Sequence, residues 1–171
     1  MRARGGLPPF REEALGRAIR GAVAAASADA FRVIQFSIQR DHLHLIVEAH
    51  DAAALSSGMQ GLAVRVARAV NRALVVRGRV FRERYHAREL ETPRAVRNAI
   101  VYVLMNARKH GSRLASGVDA FSSAPWFDGF VRRQAPSDDA SPVRAPRTWL
   151  AGVGWRRRGL VRSDERPAAP S

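Results

Sequence analysis

The chain has 171 residues, and hydrophobic residues make up 46% of it, enough for one domain with a real core plus an extension. Lysine and arginine number 29 against 15 acidic residues, and the net charge of +14 predicts a polyanionic partner, of which nucleic acid is the usual one. The absence of cysteine excludes disulfides and thiolate metal sites. No run approaches the roughly 18 apolar residues of a membrane span.

The N-terminus lacks the hydrophobic core of a signal peptide, so the default expectation is a cytoplasmic protein with no membrane contact. The charge has a second explanation in the preference of a GC-rich genome for arginine, since Lys109 is the only lysine. That preference does not explain why acidic residues are half as frequent as basic ones. The charge therefore favours nucleic acid as the partner, which would place the protein at the nucleoid.

The first half of the chain predicts a loop, a helix and a hairpin. Residues 1–11 are basic and rich in Gly and Pro, which is typical of a loop. Apolar residues recur at spacings of three and four from Glu12 to Ala26 and predict an amphipathic helix. Phe31–Gln39 is rich in β-branched and aromatic residues and predicts a strand, and Arg40–Asp41 turns the chain into a second strand, 42–49.

The second half predicts two helices and a flexible tail. The apolar stripe of Ala52–Val76 predicts a long helix that Gly78 closes. Arg79–Leu90 is predicted to be extended, and Pro93 suits the first turn of a last core helix that runs to about Lys109. Ser and Pro then become frequent, and residues 134–147 predict a flexible linker.

Three segments follow from this pattern: a basic loop over residues 1–11, a core domain over residues 12–111, and a basic, Pro- and Ser-rich extension over residues 112–171. The extension is predicted to be partly disordered. Its segments Arg147–Leu150 and Trp155–Val161 are apolar enough to dock back on the domain.

The predicted element order is α-β-β-α-β-α, which indicates an α/β (α+β) fold. It is the order of a ferredoxin-like βαββαβ sandwich with an added C-terminal helix that bears Tyr102. The first strand has no counterpart, because nothing in Met1–Phe10 predicts one. Either the true start lies upstream of Met1 or the sheet is incomplete.

The most informative residues are His42 and His44. Alternation in a strand has period two, so both imidazoles leave the same face of the sheet. Two imidazoles side by side on a rigid strand form half of a divalent-metal site. Tyr102 and Asn106 lie four residues apart in the last predicted helix, which suggests a metal together with a tyrosine nucleophile.

Three blocks carry a resemblance to a known family. Arg40–Val47 resembles the HUH motif (His, hydrophobic, His) of the single-tyrosine transposases, which include insertion-sequence and REP-associated tyrosine transposases. Gly78–Tyr85 is similar to the family's Gly-x-x-Phe-x-x-Arg-Tyr block. Tyr102–Arg108 is similar to the family's tyrosine helix, commonly Tyr-Ile-x-x-Asn-Pro-x-Arg, with Ala107 in place of the proline. The blocks follow the family order and cover roughly residues 12–111.

The resemblance implies a metal-dependent endonuclease and strand transferase that acts on single-stranded or hairpin DNA. Tyr102 would be the nucleophile, forming a covalent tyrosyl phosphate, while His42 and His44 would hold Mg²⁺ or Mn²⁺. Two neutral nitrogens bind a hard cation poorly, so an oxygen ligand is expected. Asn106 is the first candidate by helix face and by family position, and Glu48, on the histidine face of the strand, is the second.

Basic residues in two segments are the candidate contacts to nucleic acid. A solvated helix face is an equal explanation for the row on the long helix, and Phe81, among the second set, is an equal candidate for the core. The candidates are Arg65, Arg68 and Arg72 on the long helix, and Arg79, Arg82, Arg84, Tyr85 and Arg88 in the extended segment.

Other interpretations remain open at this point. The histidine pair is also compatible with a hydrogen-bonded core, and Tyr102 with a core-edge aromatic whose hydroxyl finds a partner. A nucleic-acid-binding protein that has kept the fold and lost the chemistry is the main alternative function, and a metal phosphohydrolase without a covalent step is another. The active site could be built within one chain or shared across a homodimer.

Overall fold

The computed structural model describes residues 1–109, 118–132 and 139–167. The architecture is mixed α/β, with a two-stranded antiparallel sheet between two layers of helices in this part of the chain. None of the described helices is long and apolar enough to cross a membrane. The elements are α1 (Glu13–Ala24), β1 (Phe31–Ile38), β2 (Leu43–Ala49), α2 (Ala52–Leu74), α3 (Pro93–Leu104), α4 (Asn106–Lys109) and α5 (Trp149–Gly152), with 3₁₀ turns at Ala124–Trp126 and Gly154–Arg158.

Both long helices begin where a side chain caps the first turn. The Asp51 carboxylate accepts a hydrogen bond from the backbone N–H of Ala54 at the start of α2, and the Thr92 hydroxyl does the same for Ala95 at the start of α3. Pro93 occupies the first turn of α3, where its missing N–H costs nothing. The predicted helices and the hairpin are confirmed to within two residues at these ends.

The end of α2 differs from the prediction. Val75, not Gly78, takes the left-handed backbone conformation that ends the helix, with φ 55° and ψ 39°. Its N–H donates to the carbonyl of Arg72, and the Asn71 amide donates to the carbonyl of Gly78 and holds the turn. A β-branched residue pays a steric penalty in this conformation that glycine would not.

The predicted last core helix is interrupted once. α3 ends at Leu104, Met105 leaves the helical conformation with φ −100° and ψ 7°, and the short helix α4 begins at Asn106. Residues 110 and 111, where the helix was expected to stop, lie outside the described residues. The interruption means that Tyr102 and Asn106 do not share one continuous helix.

The period-two alternation of β2 divides the molecule into two cores. Leu43, Leu45 and Val47 pack with α1 and α2 on one face of the sheet, whereas His44 and Ile46 face α3 on the other. The pairing of β1 with β2 is antiparallel, with an irregularity in β1 between residues 33 and 35. The sheet therefore places α2 and α3 on opposite sides.

Residues 1–3 lie alongside β2, and the expectation that residues 1–11 supply only a loop is wrong for this segment. The nitrogen of Met1 donates to the carbonyl of Leu43 at 3.0 Å, and the N–H of Leu43 donates to the carbonyl of Met1 at 2.9 Å. On its other side the segment pairs with Phe81 through Ala3. Elsewhere in residues 79–90 there is no strand, so the extended element expected there is reduced to one bridge.

The C-terminal segment packs on the face that carries α3. Trp155 is 1% exposed and Val161 is fully buried, which confirms that residues 155–161 dock on the domain. The linker expected at residues 134–147 is wrong for residues 139–147, because the N–H of Arg144 donates to the carbonyl of Val33 in β1. Residues 133–138 and 168–171 lie outside the described part.

Arg97 on α3 and Glu165 form the strongest polar link between the tyrosine helix and the C-terminal segment. The guanidinium nitrogens of Arg97 donate to both carboxylate oxygens of Glu165, at 2.8 and 3.0 Å. The same guanidinium also donates to the carbonyls of Gly159 and Leu160. These bonds fix the rotation of α3 from the side opposite the sheet.

We predict that Val75→Gly raises the free energy of unfolding by about 0.5–1 kcal/mol, because the steric cost of the left-handed conformation exceeds the extra flexibility of glycine. Urea denaturation of the two proteins measures the change. Val76→Gly, one residue further on and outside that conformation, is the matched control and should lower the stability. A stability loss in Val75→Gly as large as that of the control would contradict the prediction.

We predict that the Arg97–Glu165 link makes stability fall with acid. Burial raises the pKa of Glu165, but the hydrogen bonds from Arg97 and the backbone of Arg162, with both positive charges, outweigh it and lower the pKa. A lowered folded-state pKa stabilises the protein above the unfolded value, about 4.3, and this contribution is lost as the pH falls below it. Urea midpoints of Glu165→Gln should be lower than wild type at pH 7 and should converge with it near pH 3.

Candidate active site

The two histidines of β2 point their distal nitrogens at each other. Nε2 of His42 lies 2.9 Å from Nε2 of His44, and the ring centres are 4.6 Å apart. Nδ1 of His42 lies 2.6 Å from a carboxylate oxygen of Asp41. Because this nitrogen donates to Asp41, Nε2 of a neutral His42 keeps its lone pair and accepts from the Nε2–H of His44.

Asp41 is held in its charged form by the same contact. The hydrogen bond from His42 lowers the pKa of this carboxyl, and the charges of His42 and Arg2 add to the effect. A carboxylate behind a histidine fixes the tautomer and the orientation of the ring and makes the far nitrogen a better ligand. Asp41 is a positioning residue that the sequence analysis treated only as part of the turn, although its place directly before His42 was a usable signal.

Tyr102 lies directly against this pair. Its ring centre is 5.0 Å from that of His44, with the two ring planes at 81°. The phenol is half-buried at the inner face of α3, whose neighbouring residues Val101, Val103 and Leu104 anchor the helix in the core. The structure therefore brings the predicted nucleophile and the predicted ligand pair together within one chain.

Asn106 lies at the start of α4 and is 1% exposed. Neither its side-chain oxygen nor its side-chain nitrogen has a hydrogen-bond partner among the described residues. A buried amide without partners costs on the order of 1–3 kcal/mol. Such a group indicates either a cost carried for function or a partner that binds from outside the chain.

Glu48, the second candidate for an oxygen ligand, is committed elsewhere. Its carboxylate accepts hydrogen bonds from the backbone N–H groups of Arg147 and Thr148 and from the Thr148 hydroxyl. Glu48 thus anchors the start of α5 on the histidine face of the sheet. This role removes it from the ligand set.

The donor set fits a divalent cation in part. Two ligand atoms at right angles around one ion, each about 2.1 Å from it, are about 3 Å apart, which is the spacing of the two Nε2 atoms. No three His, Asp or Glu side chains in the described part of the chain cluster as a metal site. Any third protein ligand near the pair is therefore of another kind, and Asn106 has an unpaired amide oxygen to offer.

A groove of about 1040 Å³ opens beside the histidine pair. Its floor is β2, and its far wall is the segment 82–90. Of the predicted nucleic-acid contacts, the groove is lined by Arg82, Arg84, Tyr85 and Arg88. His42 and His44 line the same groove, so these cations lie along a path that leads to the candidate active site.

The remaining predicted contacts lie elsewhere. The side chain of Arg79 donates to the carbonyls of Phe81 and Arg82 and so supports the loop. Phe81 is 8% exposed and belongs to the core. The row on α2 is exposed, and the sheet separates that helix from the histidine face: Arg65, Arg68 and Arg72.

The comparisons with known proteins agree with this geometry. A family model described as "Transposase IS200 like" matches residues 10–103, more than half of the chain. The matched region includes both histidines and Tyr102 and ends before Asn106. No curated protein and no solved structure shows a significant match to the chain.

We predict that Asn106→Leu raises the free energy of unfolding by about 1–2 kcal/mol, because it replaces an unpartnered buried amide with an apolar side chain of similar shape. Urea denaturation in metal-free buffer gives the value. Asn98→Leu, on the exposed face of α3, is the control and should change stability by less than about 0.5 kcal/mol. A clear stability loss in Asn106→Leu would mean that the amide has partners after all.

Proposed function

Because the chain belongs to the IS200-like transposase family, we propose that it is a metal-dependent single-strand DNA endonuclease and strand transferase that works through a covalent phosphotyrosine. One observation carries the proposal: the ring of Tyr102 lies 5.0 Å from that of His44, whose Nε2 lies 2.9 Å from that of His42. A phenol and a convergent pair of imidazoles are the parts that such a reaction needs.

In the proposed reaction the oxygen of Tyr102 attacks a phosphodiester phosphorus. The new tyrosyl-phosphate bond replaces the bond to the 3′-oxygen, the phenolic proton is lost, and the departing 3′-oxygen takes up a proton. The phosphotyrosine retains the energy of the broken bond, so a later 3′-hydroxyl can attack it and join strands without ATP. The packing of α3 in the core holds the phenol in place for the first attack.

The residues that would hold a Mg²⁺ or Mn²⁺ ion are His42, His44 and Asn106. When bound, the ion supplies Lewis-acid polarisation of the non-bridging phosphate oxygens. Asp41 orients His42 and keeps its distal nitrogen unprotonated for this role. The unpartnered amide of Asn106 supports its place in the set, because an oxygen donor balances the two nitrogens for a hard cation.

The proposed substrate is single-stranded or hairpin-tipped DNA. The groove beside the histidines carries Arg82, Arg84 and Arg88 to neutralise phosphates and Tyr85 to stack a base. The net charge of +14 supports a nucleic-acid partner and, with it, a place at the nucleoid. Contact between His44 and Tyr102 of one chain supports a site that is complete without a second copy.

The proposed fold is a ferredoxin-like sandwich with short first and last strands. The backbone order is β1, β2, residues 1–3 and residue Phe81, each antiparallel to its neighbour. That order and the helices on both faces are what a βαββαβ sheet requires. The segment 1–3 supports the place of the first strand in this arrangement, although it pairs with only the first residue of β2 and the turn before it.

A covalent-capture assay tests the function. The protein is incubated with 3′-labelled single-stranded oligonucleotides and Mn²⁺, and label that stays on the protein is measured on a denaturing gel. Wild type should capture label, and Tyr102→Phe should lose at least about 99% of it because the nucleophile is gone. Tyr85 is the only other tyrosine of the chain, and Tyr85→Phe is the matched control that keeps the capture chemistry.

The same assay separates the alternatives. Cleavage without captured label would indicate a phosphohydrolase with no covalent step. Oligonucleotide binding with neither cleavage nor capture would indicate a binding protein that has lost the chemistry. Capture that survives Tyr102→Phe or excess EDTA would contradict the proposed nucleophile or the metal requirement, respectively.

A further inference from the structure

The edge of β2 that faces away from β1 has unpaired backbone groups. The N–H and the carbonyl of Leu43 both point to Met1 on this side. Since backbone direction alternates with period two, the same groups of Leu45, Val47 and Ala49 point into the same space. No backbone hydrogen bond from a described residue reaches them from that side.

The space beside this edge is the 1040 Å³ groove, and its walls above and below the sheet are apolar. Leu55 and Met59 of α2 line it on one side. Val96 of α3 and Leu150 of α5 line it on the other. A ligand that lies here in the plane of the sheet therefore meets apolar side chains on both of its faces, as a central β-strand does.

We propose that the groove is a strand-binding site, and that its occupant is an extended polypeptide segment joined to the amino side of Met1. Such a segment continues the antiparallel pairing in which Arg2 lies opposite His42 and Met1 opposite Leu43. Each added residue then lies opposite the next residue of β2, from His44 to Ala49. The segment would supply hydrogen bonds to the free edge and apolar side chains to both walls.

A polypeptide strand fits the groove better than a nucleic acid does in this inner part. Arg82, Arg84 and Arg88 lie on the loop wall, whereas the walls formed by α2, α3 and α5 offer apolar side chains to whatever fills the centre. Phosphates need cations or water, while β-branched side chains need apolar walls. The inference does not rest on the transposase reaction, because it concerns only the edge of the sheet.

The test extends the full chain at its amino end with a short segment of Val, Ile and Thr, about six residues long, sufficient to reach Ala49. One matched control carries a Gly-Ser segment of equal length, and a second carries the strand segment with proline at a central position. Hydrogen exchange of the backbone amides of Leu45, Val47 and Ala49 is the readout. The strand segment should slow their exchange at least about tenfold relative to both controls and raise Tm.

Two results would overturn the proposal. One is equal exchange at Leu45, Val47 and Ala49 in the strand and Gly-Ser variants, which would mean that the groove does not accept a strand. The other is protection of the same amides in the unextended chain by a single-stranded oligonucleotide, which would make the groove a nucleic-acid channel. Capture of label by Tyr102 is measured separately, so failure of either idea is distinguishable from failure of the other.

Discussion

The candidate active site depends on one constraint, the alternation of side chains along β2. Odd-numbered residues of this strand fill the core under α1 and α2, and even-numbered residues face α3. Because Leu43 is 3% exposed in the first core, His42 and His44 must leave the sheet on the opposite face, side by side. A shift of the strand by one residue would bury both imidazoles among apolar side chains and destroy the pair, so the core enforces the geometry of the site.

The second half of the site depends on what holds α3 against that face. Ile34 and Ile46 of the sheet pack under α3, while Trp155 and Val161 of the C-terminal segment cover its outer side. Gly129 makes this possible, because a Cβ there would overlap the indole of Trp155. The extension is therefore part of the scaffold: it completes the second core, and with it the position of Tyr102 relative to the histidines.

The sequence was sufficient to predict the local elements and the constellation of His42, His44 and Tyr102, because periodicity and motif spacing are local signals. It was not sufficient for features that arise from tertiary contacts. Val75 ends α2 in place of Gly78 because Asn71 and Arg72 fix the turn around it. The pairing of residues 1–3 with β2 has no hydrophobic signal, since two neighbouring segments impose it.

The oxygen donor shows the same limit from another side. Helical spacing placed Tyr102 and Asn106 on one face, whereas α3 ends between them at Leu104. The break places the Asn106 amide in a pocket that leaves both of its polar atoms unpaired. A chain selected only for stability would fill that position with an apolar side chain, because an unpartnered amide lowers stability. The retained amide is therefore best explained by an interaction that the folded chain alone does not complete, and coordination next to the histidine pair is the interaction that its position supports.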